Sequence, residues 1–148
     1  MQTKADSNAI AQTIISLEHQ ALNTWNRGDV EGQLRFYADD VTYFDPITAA
    51  RLDGWAAVAE YLRTVWTGKV NIPRYEMMNE QVITTGTDLA VLTYNLVNYG
   101  RDTDGSEMPT TRWNATQVYR RIGEQWRVVH VHWSFTRHPA FEKTAIEG

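Results

Sequence analysis

The sequence predicts an α+β fold in which helices come first and a mostly antiparallel sheet follows. Three segments in the first half carry apolar residues at the spacing of an α-helix. The second half consists of long runs rich in β-branched and aromatic residues, with glycines between them. At 148 residues the chain is long enough for one domain with a sizeable core, so we predict a single domain over 1–148.

The first helix is predicted from one apolar stripe. A cap at Asp6 or Ser7 should start it, because both side chains can accept a hydrogen bond from a free backbone N–H. Gly28 should end it, since glycine is common just after a helix. The stripe consists of Ile10, Ile14, Leu17, Ala21 and Trp25.

A second, short helix and a strand are predicted next. Asp29 caps this helix, and the pair Asp39 and Asp40 breaks it and lies in a solvated turn. Val41–Asp45 then forms a short strand, which Pro46 stops because proline cannot donate to a sheet ladder. The apolar face of the helix consists of Val30, Leu34 and Tyr37.

The third helix precedes the strands that form most of the sheet. Asp53 should cap it and Gly68 should close it, with an apolar face made of Trp55, Val58, Leu62, Val65 and Trp66. The remaining strands are predicted over Arg74–Thr85, Leu89–Tyr99, Arg112–Arg121 and Trp126–Thr136. The last two form a hairpin around Gly123, and a curved sheet wrapped on a long helix should enclose a cone-shaped cavity.

Composition excludes several classes of protein. A net charge of −4, with Arg120-Arg121 as the longest basic run, predicts no nucleic-acid partner. The absence of cysteine excludes disulfides and thiolate chemistry. The sequence shows neither a signal peptide nor an apolar run of membrane-spanning length, so we expect a cytoplasmic protein without a membrane partner.

Two stretches carry a family resemblance. RGDVEGQLRFYADDVTYFDP resembles the ketosteroid isomerases, and TQVYRRIGEQWRVVHVHWS resembles the last hairpin of the calmodulin-dependent kinase II association domain. Together with the order of elements, they make the chain similar to the nuclear transport factor 2 (NTF2)-like superfamily, which also contains the SnoaL-like polyketide cyclases. The resemblance implies a cone-shaped curved antiparallel sheet packed on three N-terminal helices. It does not imply one activity, because this fold hosts enzymes, binding proteins and assembly modules.

Asp45 is the candidate catalytic residue. By residue type alone, an aspartate before a proline is typical of a turn that ends a strand. The resemblance gives it the position of the isomerase's general base. The isomerase also needs an oxyanion hole made of a tyrosine and a neutral aspartic acid. Those positions fall on Ala21 and Thr116, so the resemblance does not extend to steroid isomerisation by that route.

The two resemblances do not agree on which residues of the predicted hairpin point inward. The kinase domain lines its pocket with arginines, whose positions fall on Gln117 and Trp133, and neither residue is basic. The two resemblances therefore differ on whether Thr116 or Gln117 points inward, and a one-residue slip exchanges the faces of a strand. We favour Thr116, on a mixed-polarity inner face made of Asn114, Thr116 and Val118.

Aromatic residues supply the other candidate ligand contacts. Six Trp and seven Tyr are many for this length, and the polar tip of each needs a partner when buried. Aromatic stripes at these spacings are also typical of a core. The candidates are Trp25, Tyr43, Tyr61, Trp66, Tyr94, Trp113 and Trp133, together with Thr116 and Gln117.

His130 and His132 lie two residues apart on one predicted strand, so their side chains share a face. A third ligand would make a metal site of them. The resemblance instead places Val129, Val131 and Trp133 on the cavity face, which turns both histidines outward or towards a partner subunit. We therefore predict no metal and no cofactor.

Two functions are compatible with these residues. The first is a SnoaL-like enzyme, working without a cofactor, in which Asp45 removes a proton next to a carbonyl, while Trp25 with Thr116 or Gln117 orients the substrate. Such an enzyme would be an isomerase, a cyclase or a lyase acting as a dehydratase. The second is a non-catalytic ligand-binding or oligomerisation module. Both imply a small hydrophobic or aromatic ligand and a homodimer formed through the outer sheet face.

Overall fold

The computed structural model describes residues 3–137, so residues 1–2 and 138–148 of the predicted domain lie outside the described part. The helices are α1 (Lys4–Asn26), α2 (Glu31–Leu34) and α3 (Trp55–Trp66). The strands are β1 (Tyr37–Phe44), β2 (Leu52–Asp53), β3 (Arg74–Thr85), β4 (Leu89–Arg101), β5 (Glu107–Ile122) and β6 (Gln125–Phe135). None of the helices in this part of the chain is both long and apolar enough to cross a membrane.

The strands form one sheet in the order β2-β1-β6-β5-β4-β3. Strand β1 runs parallel to β6, and the other neighbouring strands are antiparallel. The predicted α+β class is confirmed, but the sheet is mixed rather than purely antiparallel. Register shifts interrupt each long pairing and bend the sheet, because a bulge increases the local twist.

The inner face of the sheet packs on the helices. Helix α1 lies against β3 and β4, while α3 lies against β1 and β2. Ile14 and Leu22 of α1 are almost completely buried, as is Leu92 on the inner face of β4. Burial of such side chains stabilises the fold by roughly 1.5–3 kcal/mol each. Polar side chains that point to the same side are therefore held in an apolar layer.

The start of α1 differs from the prediction. Thr3 is the cap, and neither Asp6 nor Ser7 takes that position. The Thr3 hydroxyl accepts from the Asp6 backbone N–H at 3.0 Å, and the Asp6 carboxylate accepts from the Thr3 N–H at 3.1 Å. This reciprocal capping box begins the helix at Lys4, three residues earlier than a cap at Asp6 would.

Asp39 and Asp40 do not break a helix, and that prediction is wrong. Helix α2 ends at Leu34, and both aspartates lie exposed within β1. Tyr37, predicted on the helix face, instead pairs with Val128 of β6. Pairing with a strand so distant in the sequence overrides the local helical pattern.

The start of α3 also differs from the prediction. The residue before the helix is Gly54, which has φ +92° and offers no side-chain cap. Asp53 belongs to β2, where it faces Thr42 of β1 and forms an ion pair with Arg51 at 2.6 Å. A strand of two residues is too short to produce an alternating pattern, so the sequence did not predict it.

Candidate functional site

A cavity of about 410 Å³ lies between α1, α3 and the inner face of the sheet. On the helical wall, the rings of Trp25 and Trp66 meet edge to face, with centroids 6.1 Å apart. On the sheet wall, Trp113 and Trp133 meet in the same way at 5.8 Å. The exposed side chain of Lys69 marks the rim. The aromatic residues of the wall are Trp25, Tyr37, Tyr43, Trp66, Trp113, Trp133 and Phe135.

Asp45 lies on this wall at the end of β1 and is only 8% exposed. Its Oδ1 atom accepts from the backbone N–H groups of Ile47 at 2.8 Å and Thr48 at 3.0 Å. Its carboxylate also accepts from the Tyr61 hydroxyl at 2.6 and 2.8 Å and from the Tyr43 hydroxyl at 3.0 Å. Asp45 therefore both caps the turn and lies on the cavity wall. The turn expected from its residue type and the cavity position implied by the resemblance are compatible.

The two tyrosines keep their protons and so act as donors to Asp45. Burial raises the pKa of Tyr43 well above its usual value, and the nearby Asp45 charge raises it further. Desolvation, followed by the bond to Asp45, raises the pKa of Tyr61. The carboxylate is therefore surrounded by donors, as suits an ionised group that can only accept.

A second carboxylate, Glu18 of α1, is completely buried and does not line the cavity. Its Oε1 accepts from the Tyr94 hydroxyl at 3.0 Å and from the Gln117 amide at 2.8 Å. Its Oε2 accepts from the Tyr119 hydroxyl at 2.8 Å. Glu18 is not among the residues predicted from the sequence, although its place one turn beyond Ile14 on the apolar stripe of α1 was a signal.

Burial raises the pKa of Glu18 from 4.5 to about 7, against the opposing effect of its three hydrogen bonds. Burial likewise raises the pKa values of Tyr94 and Tyr119 well above 10.0, and the charge of Glu18 adds to both. The buried cluster thus has one proton that moves near neutral pH, and the tyrosines remain protonated.

Two residues that line the cavity each have a buried polar atom with no hydrogen-bond partner within the described residues, namely Asn26 Nδ2 and Asn98 Oδ1. Asn98 is oriented by its own amide, which donates to Thr111 Oγ1 at 3.1 Å and leaves its oxygen free. Trp66 Nε1, by contrast, acts as a hydrogen-bond donor towards the Tyr61 hydroxyl and opposes the rise in the pKa of that hydroxyl. Both asparagines could have been predicted to point inward. Asn26 lies one turn beyond Leu22 on α1, and Asn98 lies two residues beyond Leu96 on β4.

The structure brings most of the predicted site residues together. Six line the cavity: Trp25, Tyr43, Asp45, Trp66, Trp113 and Trp133. Tyr61 joins them through its bonds to the Asp45 carboxylate. Tyr94 and Gln117 instead hold Glu18, so their polar groups are already satisfied. Ligand contact by any of these residues stays a prediction.

The preference for Thr116 over Gln117 as the inward residue is wrong. Gln117 is 1% exposed and lies with Ala115 and Tyr119 on the buried face of β5. Thr116 is only half-buried and points to the other side, because successive side chains alternate along a strand. The row expected to face inward forms part of the outer face: Asn114, Thr116 and Val118.

His130 and His132 lie on the outer face, where both rings contact Phe44 at centroid distances of 5.8 and 5.2 Å. His130 Nδ1 is 2.7 Å from Thr42 Oγ1. Desolvation and the neighbouring His132 lower the pKa of His130. Within residues 3–137, no group of three or more His, Asp or Glu side chains is arranged to hold a metal.

Strand β6 turns Val131 and Trp133 inward, as the resemblance implied. Val129 differs from that expectation, because the register with β5 shifts between Val118 and Tyr119. The shift pairs Tyr119 with Val128, and Val128 is the residue buried in the core.

Comparison with known families identifies the chain. The model of the calcium/calmodulin-dependent protein kinase II association domain matches residues 10–137. The chain belongs to this association-domain family. Among curated proteins, none is similar enough to count as a match.

Several solved structures are similar to this association-domain chain along most of its length. A protein named as a candidate ketosteroid isomerase from Parabacteroides distasonis is 30% identical, with a TM-score of 0.75 and coverage of 95% of this chain and 97% of that one. An NTF2-like protein of unknown function from Pseudomonas putida is 29% identical, with a TM-score of 0.72 and coverage of 91% and 92%. The association domain of the C. elegans kinase is 24% identical, with a TM-score of 0.74 and coverage of 86% and 97%. The predicted NTF2-like fold is confirmed.

Proposed function

We propose that this association-domain chain is a small-molecule binding module that assembles with a second copy of itself. The observation that carries the binding part is the set of unpartnered atoms on the cavity wall. Asn26 Nδ2 and Asn98 Oδ1 are buried and unpaired among the described residues, on side chains that line the cavity. A buried polar atom without a partner costs about 1–3 kcal/mol, and a ligand with matching donors and acceptors recovers that cost.

The hydrogen bonds of Asp45 favour binding over catalysis as the first candidate. A general base needs a free lone pair aimed at the proton it takes. Asp45 already receives bonds from four groups, the backbone of Ile47 and Thr48 and the hydroxyls of Tyr43 and Tyr61. These donors stabilise the carboxylate and occupy the directions a substrate proton would need.

Cofactor-free proton abstraction is the second candidate, and the position of Asp45 on the cavity wall favours it. In this mechanism a substrate would displace the Tyr61 hydroxyl, and that hydroxyl would then donate to the developing oxyanion. Gln117 is committed to Glu18 and Thr116 faces away, so neither supplies that donor. Loss of turnover of an identified substrate in Asp45→Asn, with binding retained, would establish this candidate in place of the first.

A cavity-blocking variant tests the binding proposal. Ile72 is half-buried at the cavity wall, and Ile72→Trp should fill part of the space. In a metabolite screen by thermal shift, ligands that raise the melting temperature of the unmodified protein should lose their effect in this variant, because occupancy stabilises only the folded state. Ile122→Trp, the same exchange at an exposed residue of the β5–β6 hairpin, should leave every shift unchanged. Equal shifts in Ile72→Trp and the unmodified protein would contradict the proposed site.

Assembly is proposed through the outer face of the sheet, with a second copy of the chain as the partner. The helices lie against the inner face, and the centre of the outer face is half-exposed. There Val118 lies between Val91 and His130 on neighbouring strands. Membership of the association-domain family supports this choice. A cytoplasmic location and the absence of nucleic-acid and membrane partners stay predictions.

Val118→Arg should convert the assembled protein to monomers. A guanidinium at the centre of a self-complementary face meets its own copy, and like charges there oppose association. Light scattering after size exclusion should show the molar mass falling to that of one chain. Thr64→Arg, on the exposed side of α3, adds the same charge and should leave the mass unchanged. A monomeric unmodified protein at high concentration, or an assembled Val118→Arg protein, would contradict the proposal.

A further inference from the structure

Asp45 is a buried carboxylate without a cationic partner. Within residues 3–137, the ion pairs of Asp and Glu side chains lie at the surface and do not include Asp45. Its donors are neutral hydroxyl and amide groups, which hold the charge in place and do not cancel it. Buried charges in proteins are ordinarily paired, so the negative charge on this wall lacks its usual counterpart.

The aromatic wall around Asp45 suits the missing positive charge. The faces of Trp and Tyr rings carry negative electrostatic potential and attract ammonium groups, most strongly where water is excluded. Trp25 and Trp66 supply rings from the helices, and Trp113 and Trp133 supply rings from the sheet. Lys69 also lines the cavity, but its side chain is exposed at the rim, where solvent and salt screen its charge.

We propose that the cavity binds an organic cation, a protonated or quaternary amine attached to a flat apolar body. The positive charge of the ammonium group lies beside the Asp45 carboxylate and is attracted by its charge, which does not require a lone pair already taken by the four donors. The body lies between the tryptophans. Asn98 Oδ1 can accept from an ammonium N–H, and Asn26 Nδ2 can donate to a carbonyl or ether oxygen elsewhere in the ligand. This inference rests on the proposed binding function and adds the chemical class of the ligand.

Three probes of similar size and different charge test the inference: phenethylammonium, phenethyl alcohol and hydrocinnamate. Isothermal titration near neutral pH should rank the cation first, about tenfold or more tighter than the alcohol, with the anion weakest. This ranking needs only the unmodified protein. An alcohol that binds as tightly as the ammonium would overturn the inference about charge and leave the binding function standing. Failure of all three probes to bind would count against both.

Asp45→Asn tests the carboxylate itself. An amide of the same shape can still accept from Ile47 and Thr48, so we expect the variant to fold. It should weaken phenethylammonium binding about tenfold and change phenethyl alcohol binding by less than about twofold, because only the cation uses the charge. Asp39→Asn, at an exposed residue of the same strand, removes one charge and should change neither value. Equal weakening of both probes by Asp45→Asn would overturn the proposed pairing.

Discussion

Glu18→Gln is expected to stabilise the protein at alkaline pH and to remove much of the pH dependence of its stability. Glu18 is fully buried, and burial raises its pKa from 4.5 to about 7. Below pH 4.5 the side chain is protonated in both the folded and unfolded chains, so its contribution to stability is then fully present. As pH rises, the unfolded chain releases this proton first, and the folded state loses stability until about pH 7 is passed.

The size of this effect follows from the shift in pKa. Each pKa unit corresponds to about 1.4 kcal/mol, so the raised pKa of Glu18 costs about 3 kcal/mol above neutral pH. Glutamine stays neutral. Its amide N–H takes the place of Oε2, which accepts from the Tyr119 hydroxyl, so the direction of that hydrogen bond must reverse. The Gln side chain can still accept from Tyr94 and Gln117. Above neutral pH the variant should therefore be more stable than the unmodified protein by up to about 3 kcal/mol, less any cost of the changed hydrogen bonds.

Urea unfolding at a series of pH values measures the difference between variant and unmodified protein. Subtraction is needed because His130, whose pKa is lowered, makes the protein lose stability as pH falls below 6.5, the opposite direction. Glu60→Gln, at an exposed residue of α3, serves as the matched control and should show no such trend. A Glu18→Gln protein that is less stable than the unmodified one at every pH would contradict the claim that the buried Glu18 charge destabilises the fold at alkaline pH.

Asp45→Ala is expected to lower the free energy of unfolding by about 2–4 kcal/mol, since removing one partner leaves buried donors unsatisfied. The change removes the acceptor for the N–H groups of Ile47 and Thr48 and for two tyrosine hydroxyls. Tyr43 is 4% exposed, so its hydroxyl cannot turn to bulk water. Urea unfolding at constant pH gives the free energies.

Asp45→Asn is the matched control for this prediction. It retains a carbonyl oxygen for the turn and is expected to cost about 1 kcal/mol or less, the usual size of one exchanged hydrogen bond. An alanine variant as stable as the asparagine variant would mean that the turn and the tyrosines do not depend on the carboxylate. The comparison also shows whether the ligand experiments on Asp45→Asn use a folded protein.

Sequence periodicity predicted the local elements well where they are long. Strand β3 has the predicted bounds Arg74–Thr85, because its alternation and the following Gly86 are both local signals. Strand β1 was predicted from Val41 but begins at Tyr37, since its parallel pairing with β6 depends on residues far along the chain. Contacts of this kind leave no periodic mark in the paired segment itself.

The site could be predicted in part for similar reasons. Asp45 stood out because the resemblance to the ketosteroid isomerases gave it the position of their general base, whereas its residue type alone indicated a turn. Glu18 did not, although a carboxylate on an apolar stripe is unusual, because its three partners come from strands distant in the sequence. The face of β5 also depends on its register with β4 and β6, and counting from a motif could not distinguish Thr116 from Gln117.

The six tryptophans of the chain allow the cavity to be tested directly. Four line it, namely Trp25, Trp66, Trp113 and Trp133, while Trp55 and Trp126 lie outside it. Trp55 Nε1 is already bonded to the Leu34 carbonyl oxygen at 3.0 Å. The indole N–H signals in a proton–nitrogen NMR spectrum therefore include an internal control.

Titration of phenethylammonium, and separately of phenethyl alcohol, should shift the signals of the four cavity tryptophans. Trp55 and Trp126 should remain in place, because ring and hydrogen-bond effects on an N–H signal act at short range. Shifts confined to Trp55 or Trp126, or no saturable shift of the cavity signals with either probe, would contradict the claim that this cavity is the binding site.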